Sequence, residues 1–118
     1  MKIALSGKGP SNTDEFDQHF GRAPYFHILE DGVWSTIDNR ENANAAQGAG
    51  IQTSQRILEL GVDVIITGSL GPKASKIIEG ENIQVLFSEF ATIKESLLHY
   101  APKLGLSLSS DILGEQSK

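Results

Sequence analysis

The chain has 118 residues and no cysteine. That excludes disulfides, a thiol nucleophile and thiolate ligands to a metal. Any metal or cluster bound here must use histidine, carboxylates, Met1 or ligands that the cofactor itself brings. Thiolate cages hold iron–sulfur clusters firmly. A site without them holds a cluster loosely, which suits a carrier better than a redox enzyme. No apolar run approaches the ~20 residues of a membrane span. The opening Met1-Lys2-Ile3-Ala4-Leu5-Ser6 meets Gly7 too soon to be a signal peptide, so a cytoplasmic location without a membrane partner is the default expectation. Basic residues are in the minority, 10 Lys and Arg against 15 Asp and Glu for a net charge of −5, and no window clusters them. Nucleic acid is therefore not an expected partner. A G-x-S-x-G elbow and an HExxH pair are also missing.

With 39% hydrophobic and 21% charged residues, the composition is that of one folded domain. Lys2 to Ser6 reads as a short buried strand, and Gly7 to Asp17 as a polar loop rich in turn formers. Tyr25 to Glu30 and Val33 to Asp38 read as strands joined by an Asp31-Gly32 hairpin turn. Asn39 to Gly50 is a second polar stretch. Ile51, Ser54, Ile57 and Leu58 recur at helical spacing, with Gly61 as the closing cap. Val62 to Thr67 is β-branched and continuous, the pattern of a strand buried on both faces. Gly68-Ser69-Leu70-Gly71-Pro72 leads into a helix ending near Glu79 and Gly80. Gln84 to Phe87 is a further strand, and Thr92 with Glu95 predicts a capping box for the last helix. Residues 107–118 mix Ser, Gly and charge and read as a disordered tail behind a domain of residues 1–106.

The order β-β-β-α-β-α-β-α predicts an α/β domain with a five-stranded mixed sheet, strand order 3-2-1-4-5, helices on both faces, as in ribonuclease-H-like folds. A nuclease on such a sheet needs a carboxylate on its first strand. This first strand has none. In open sheets of this kind ligands bind at the carboxyl ends of the parallel strands, which here means the loops after strands one and four.

Three stretches could carry chemistry. In Gln18-His19-Phe20-Gly21-Arg22-Ala23-Pro24-Tyr25-Phe26, His19 can offer a neutral nitrogen to a metal and Arg22 can hold an anion. Asp14, Glu15 and Asp17 lie close enough to add oxygen or to hydrogen-bond the imidazole. The bland alternative is a strand entry in which Phe20 and Tyr25 reach the core and Arg22 is solvated. In Gly68-Ser69-Leu70-Gly71-Pro72-Lys73-Ala74, glycines allow close approach and the helix start with Lys73 can receive an anion or the sulfide face of a cluster. The glycine spacing fits neither a Walker loop nor a dinucleotide fingerprint, and a tight strand-to-helix turn also explains it. In Asn44-Ala45-Ala46-Gln47-Gly48-Ala49-Gly50, small residues admit a backbone or cofactor; the alternative is a helix entry capped by Asn44. His27 and His99 read as structural or surface histidines.

From His19 to Phe26 the chain resembles the dinitrogenase iron–molybdenum cofactor biosynthesis family, the NifX-like domains also found at the end of NifB proteins. Met1-Lys2-Ile3-Ala4, Gly48-Ala49-Gly50, Gly61 to Gly68 and Gly71-Pro72-Lys73-Ala74 extend the likeness over roughly residues 1 to 100. The resemblance implies a ribonuclease-H-like fold without nuclease activity. It implies non-enzymatic binding, storage or delivery of an iron–sulfur or iron–molybdenum cofactor precursor, in the setting of nitrogen fixation, with an acceptor or scaffold protein as partner. Carried onto this chain, it makes His19 the metal ligand and Arg22 a partner for cluster charge. Gly48, Gly50, Gly68, Gly71 and Lys73 become the walls of the site. Two other readings stand beside it: a small-anion or nucleotide binding module, and a protein-interaction domain of the same fold without a cluster.

Overall fold

Strand β1 (Lys2–Gly7) is the central strand of the sheet. The computed structural model describes residues 1–106, and the expected tail at 107–118 lies outside the described residues. β2 (Tyr25–Glu30) and β3 (Val33–Asp38) form the hairpin, with Asp31 at φ 52° and Gly32 at φ 81°. Positive φ at both turn residues matches the right-handed twist of the strands it joins. β2 runs antiparallel to β1 and β3. β4 (Val64–Thr67) and β5 (Gln84–Phe87) add on the other side in parallel, and the order is β3-β2-β1-β4-β5 as expected.

β4 begins at Val64 rather than at Val62. Asp63 ties the strand start to β1 instead: its N–H donates to the Lys2 carbonyl at 2.8 Å, and its carboxylate accepts the Lys2 N–H at 2.8 Å. Among the described residues there are four helices, and three of them follow the apolar spacing. A single turn, α1 (Arg40–Ala43), forms within the stretch read only as polar. α2 (Ala49–Glu59) starts after Gly48 in the left-handed region at φ 76°. The alternative of an Asn44 cap for this helix is therefore overturned, because Asn44 closes α1. α3 (Pro72–Glu79) has proline at its first turn, and α4 (Ile93–Tyr100) carries the Thr92–Glu95 capping box. Among the described residues no helix is long and apolar enough to cross a membrane.

Alternation along the strands sorts the core onto two faces. Ile3, Leu5, Leu29, Val64, Ile66 and Leu86 meet Ile93 and Leu97 of α4. Ala4, Phe26, Ile28 and Ile65 meet Ile57 of α2 with Ala74 and Ile78 of α3. His27 is fully buried in β2, its Nε2 2.9 Å from the Gly9 carbonyl and its Nδ1 3.4 Å from Thr36 Oγ1. It is a structural histidine that holds the loop after β1. His99 is exposed on α4.

Burial lowers the His27 pKa below its ordinary 6.5, against the opposing effects of the Gly9 bond and the Asp14 charge. The unfolded chain then binds a proton in a range where the folded chain does not, so folding loses stability as pH falls below that value. Urea midpoints measured from about pH 7 to about pH 5 should fall for the wild type, and fall less for His27→Gln. Parallel curves for the two proteins would remove His27 from that role.

Candidate functional site

The site is built where the chain leaves β1 and β4. Ser6 donates its hydroxyl to the Asp17 carbonyl at 2.7 Å and lies 2.8 Å from Thr67 Oγ1, both bonds buried. The returning loop is thereby clamped across the carboxyl ends of the two strands. Next, Phe20 N–H donates to the Ser69 carbonyl at 3.2 Å, and Ser69 Oγ donates to the Gln18 carbonyl at 3.1 Å. The Phe20 ring is buried edge-on against Phe26, with centroids 5.3 Å apart. Tyr25 stays half-buried under Arg40.

Two close approaches need glycine. A Cβ on Gly68 would stand 2.6 Å from the Gln18 Cα and carbonyl oxygen, and one on Gly21 would stand 2.9 Å from the Gly50 Cα. The second contact brings the start of α2 against the loop. A polar chain behind it fixes the spacing. Thr53 donates to the Gly21 carbonyl at 2.9 Å, and Asn39, buried, donates to Thr53 Oγ1 and to the Ala23 carbonyl, each at 3.0 Å. Nothing in the sequence marks Asn39 or Thr53, since a buried Asn and a mid-helix Thr carry no signal of what they touch.

The result is a half-open cleft of about 390 Å³. His19 and Arg22 stand on one side, Gly48 and Gly50 on a second, and Gly71 with Lys73 on a third. Gly68, the seventh residue singled out, lies outside the lining and carries the Gln18 segment instead. Phe20, Leu70 and Ala74 supply apolar wall, a role that the sequence alone does not mark.

His19 has a ring 77% exposed, with Nδ1 3.5 Å from Asp17 Oδ1; the Asp17 side chain is only 12% exposed. The same carboxylate oxygen accepts the His19 backbone N–H at 2.8 Å. A carboxylate facing Nδ1 favours the tautomer that leaves Nε2 free as a ligand. Asp14 and Glu15 are engaged elsewhere, with the Ser11 N–H at 2.8 Å and Lys8 at 3.5 Å. Arg22 spends Nη1 on the carbonyls of Ala43 and Ala45, at 2.9 and 3.0 Å, and so pins the connection between α1 and α2. Among the described residues no group of three or more His, Asp or Glu could hold a metal ion.

Among the described residues, the permanently charged side chains lining the cleft, Arg22 and Lys73, are both basic. α2 and α3 both begin at it, neither has a side-chain cap, and neither has an acidic residue in its first turn. Uncapped first turns present amide hydrogens and a partial positive charge. Lys73 and Arg22 add full charges, and among the described residues no carboxylate lines the cleft. Such a cleft can receive an anionic, partly apolar body and offer it one imidazole.

The dinitrogenase iron-molybdenum cofactor family model matches residues 1–102. An uncharacterized protein of Methanocaldococcus jannaschii is 32% identical over 101 residues, covering 82% of each chain. Among solved structures, the apo form of the orange protein of Desulfovibrio gigas is similar at TM-score 0.79 and 28% identity, covering 86% of this chain and 88% of that one. A Thermotoga protein, a candidate NifB of the DUF35 family, shares the fold at TM-score 0.76 and 22% identity, covering 86% and 87%.

Proposed function

We propose, from the premise that this chain belongs to the dinitrogenase iron-molybdenum cofactor family, that it is a non-enzymatic carrier. Its cargo is an iron–sulfur or iron–molybdenum cofactor precursor, held loosely in the cleft and passed to an acceptor protein in the setting of nitrogen fixation. One observation carries the reading: an exposed imidazole faces two uncapped helix starts across a cleft that no carboxylate lines among the described residues. In this reading His19 Nε2 is the single protein ligand to metal. The backbone at Gly48, Gly50 and Gly71 meets the anionic sulfide surface, Lys73 offsets its charge, and Gly68 holds His19 in place. Arg22 adds charge to the rim while its Nη1 keeps the far wall closed. With no thiolate in the chain, nothing locks the cargo in place, and release needs no ligand exchange at sulfur.

The test is anaerobic incubation with a cluster donor, followed by gel filtration and metal and sulfide analysis. Iron or molybdenum should travel with the protein. Lys73→Glu, an exposed change that leaves the fold alone, should weaken retention roughly tenfold. A wild-type peak without metal would sink the carrier reading.

The uncapped helix starts with Lys73 favour a second reading, a site for a small oxyanion or nucleotide. Ligand binding to the folded state alone raises the melting temperature by mass action. A phosphate and nucleotide thermal-shift series with a rise, alongside failed metal retention, would select this reading.

A further inference from the structure

β5 is the outer strand on the parallel side of the sheet. Gln84 and Ser88 turn their N–H groups inward, to the Asp63 and Thr67 carbonyls, each at 3.0 Å. Alternation then turns the N–H of Val85 and Phe87 and the C=O of Ile83 and Val85 outward. No strand among the described residues pairs with that edge. The Phe87 carbonyl accepts the Tyr100 hydroxyl, which closes the ladder at that end. Phe87 at the end of the strand and Phe90 three residues on are 51% and 41% exposed, the Phe90 ring 4.9 Å from the His99 ring. Natural edges are usually blunted by proline, lysine or a bulge. β5, Gln-Val-Leu-Phe, has neither proline nor lysine.

The charges at its two ends decide what fits. Glu81 and Glu89 flank the strand, both exposed, and neither is in an ion pair among the described residues. Two copies pairing antiparallel about Val85 would bring the Glu81 turn of each toward Glu89 of the other at both ends, and like charges brought together are destabilising. A foreign strand with basic ends turns the same two positions into attraction.

We propose that β5 accepts, as an added sixth strand, an extended apolar segment of a partner protein flanked by Lys or Arg. Main-chain bonds at Val85 would supply affinity, and the aromatic flank and the two glutamates would supply selectivity. β4 and β5 are parallel, so the Phe87 end of this edge lies on the same rim of the sheet as the cleft. The inference stands whatever the cleft holds.

The experiment is amide NMR on the full chain with two synthetic peptides. Both have a Val-Thr-Val-Thr-Val centre; one has paired lysines at each end, the other paired glutamates. The lysine peptide should shift the amides from Ile83 to Phe90 and slow exchange at Val85 and Phe87. The glutamate peptide should bind roughly tenfold more weakly. Glu81→Lys with Glu89→Lys should invert that preference. Val85→Pro removes an outward donor only, a substitution that edge strands tolerate, and should cut binding with the fold intact. If Val85→Pro unfolds, the charge inversion decides. Absence of shifts, equal binding of both peptides, or dimers formed through this edge would each overturn the proposal. So would slow exchange at Val85 and Phe87 in the free, dilute chain, which would mean that the chain's own remaining segment occupies the edge.

Discussion

Gly68→Ala is expected to destabilise the fold by about 1–3 kcal/mol, a fall in melting temperature of roughly 4–12 °C, and to abolish cargo retention. The reason is a contact between two loops. A methyl group at residue 68 would meet the Gln18 Cα and carbonyl oxygen at 2.6 Å, and backbone cannot step aside as a side-chain tip can. The clash falls on the segment that bonds to Ser69 on either side of His19. Relief requires the loop to lift, and lifting it carries the imidazole away from the helix starts. Gly71→Ala is the matched control. A Cβ there has nothing within 4 Å, and Gly71 sits in extended backbone at φ −67°. Its melting temperature should stay within ~2 °C of wild type. Calorimetry on the two variants checks the pair. Equal melting temperatures would show that the Gly68 contact carries no strain.

Much of this architecture is legible locally. The Asp31-Gly32 turn, the β-branched run into Thr67, Pro72 at a helix start and the Thr92–Glu95 box each specify their element within a few residues. The strand order then follows from chain order and crossover handedness. What escapes is whatever depends on distant partners. α1 exists because Asn39 is held by Ala23 and Thr53, and nothing in Asn39-Arg40-Glu41-Asn42 announces that anchor. Gly21 and Gly68 have ordinary backbone angles; they are glycine because another chain segment touches them. Arg22 reads as a free cation in the sequence, yet its Nη1 is spent on two carbonyls. The candidate residues His19, Gly48, Gly50, Gly71 and Lys73 could be marked as loop residues of suitable chemistry. Their meeting in one cleft is a property of the topology, which brings the ends of β1 and β4 and the starts of α2 and α3 to a single rim.

Cargo affinity should drop at least tenfold for His19→Ala and about tenfold for Asp17→Asn, and the two losses should not add. His19 is exposed, so its removal should leave stability within about 0.5 kcal/mol. Any loss of retention then reports on the imidazole rather than on the fold. Asp17 does not line the cleft; its carboxylate stands 3.5 Å from Nδ1 and would favour the ring proton there, leaving Nε2 bare. An amide in its place donates as readily as it accepts, so the ring is free to carry its proton on Nε2, where it blocks a metal. In the His19→Ala background that mechanism has no object, and Asp17→Asn should change nothing further. Long-range proton–nitrogen NMR of the free protein reads the tautomer without any cargo. The wild type should carry its ring proton on Nδ1, and Asp17→Asn should shift population to Nε2. An unchanged tautomer, or equal losses from Asp17→Asn with and without His19, would reduce Asp17 to a support for the loop backbone.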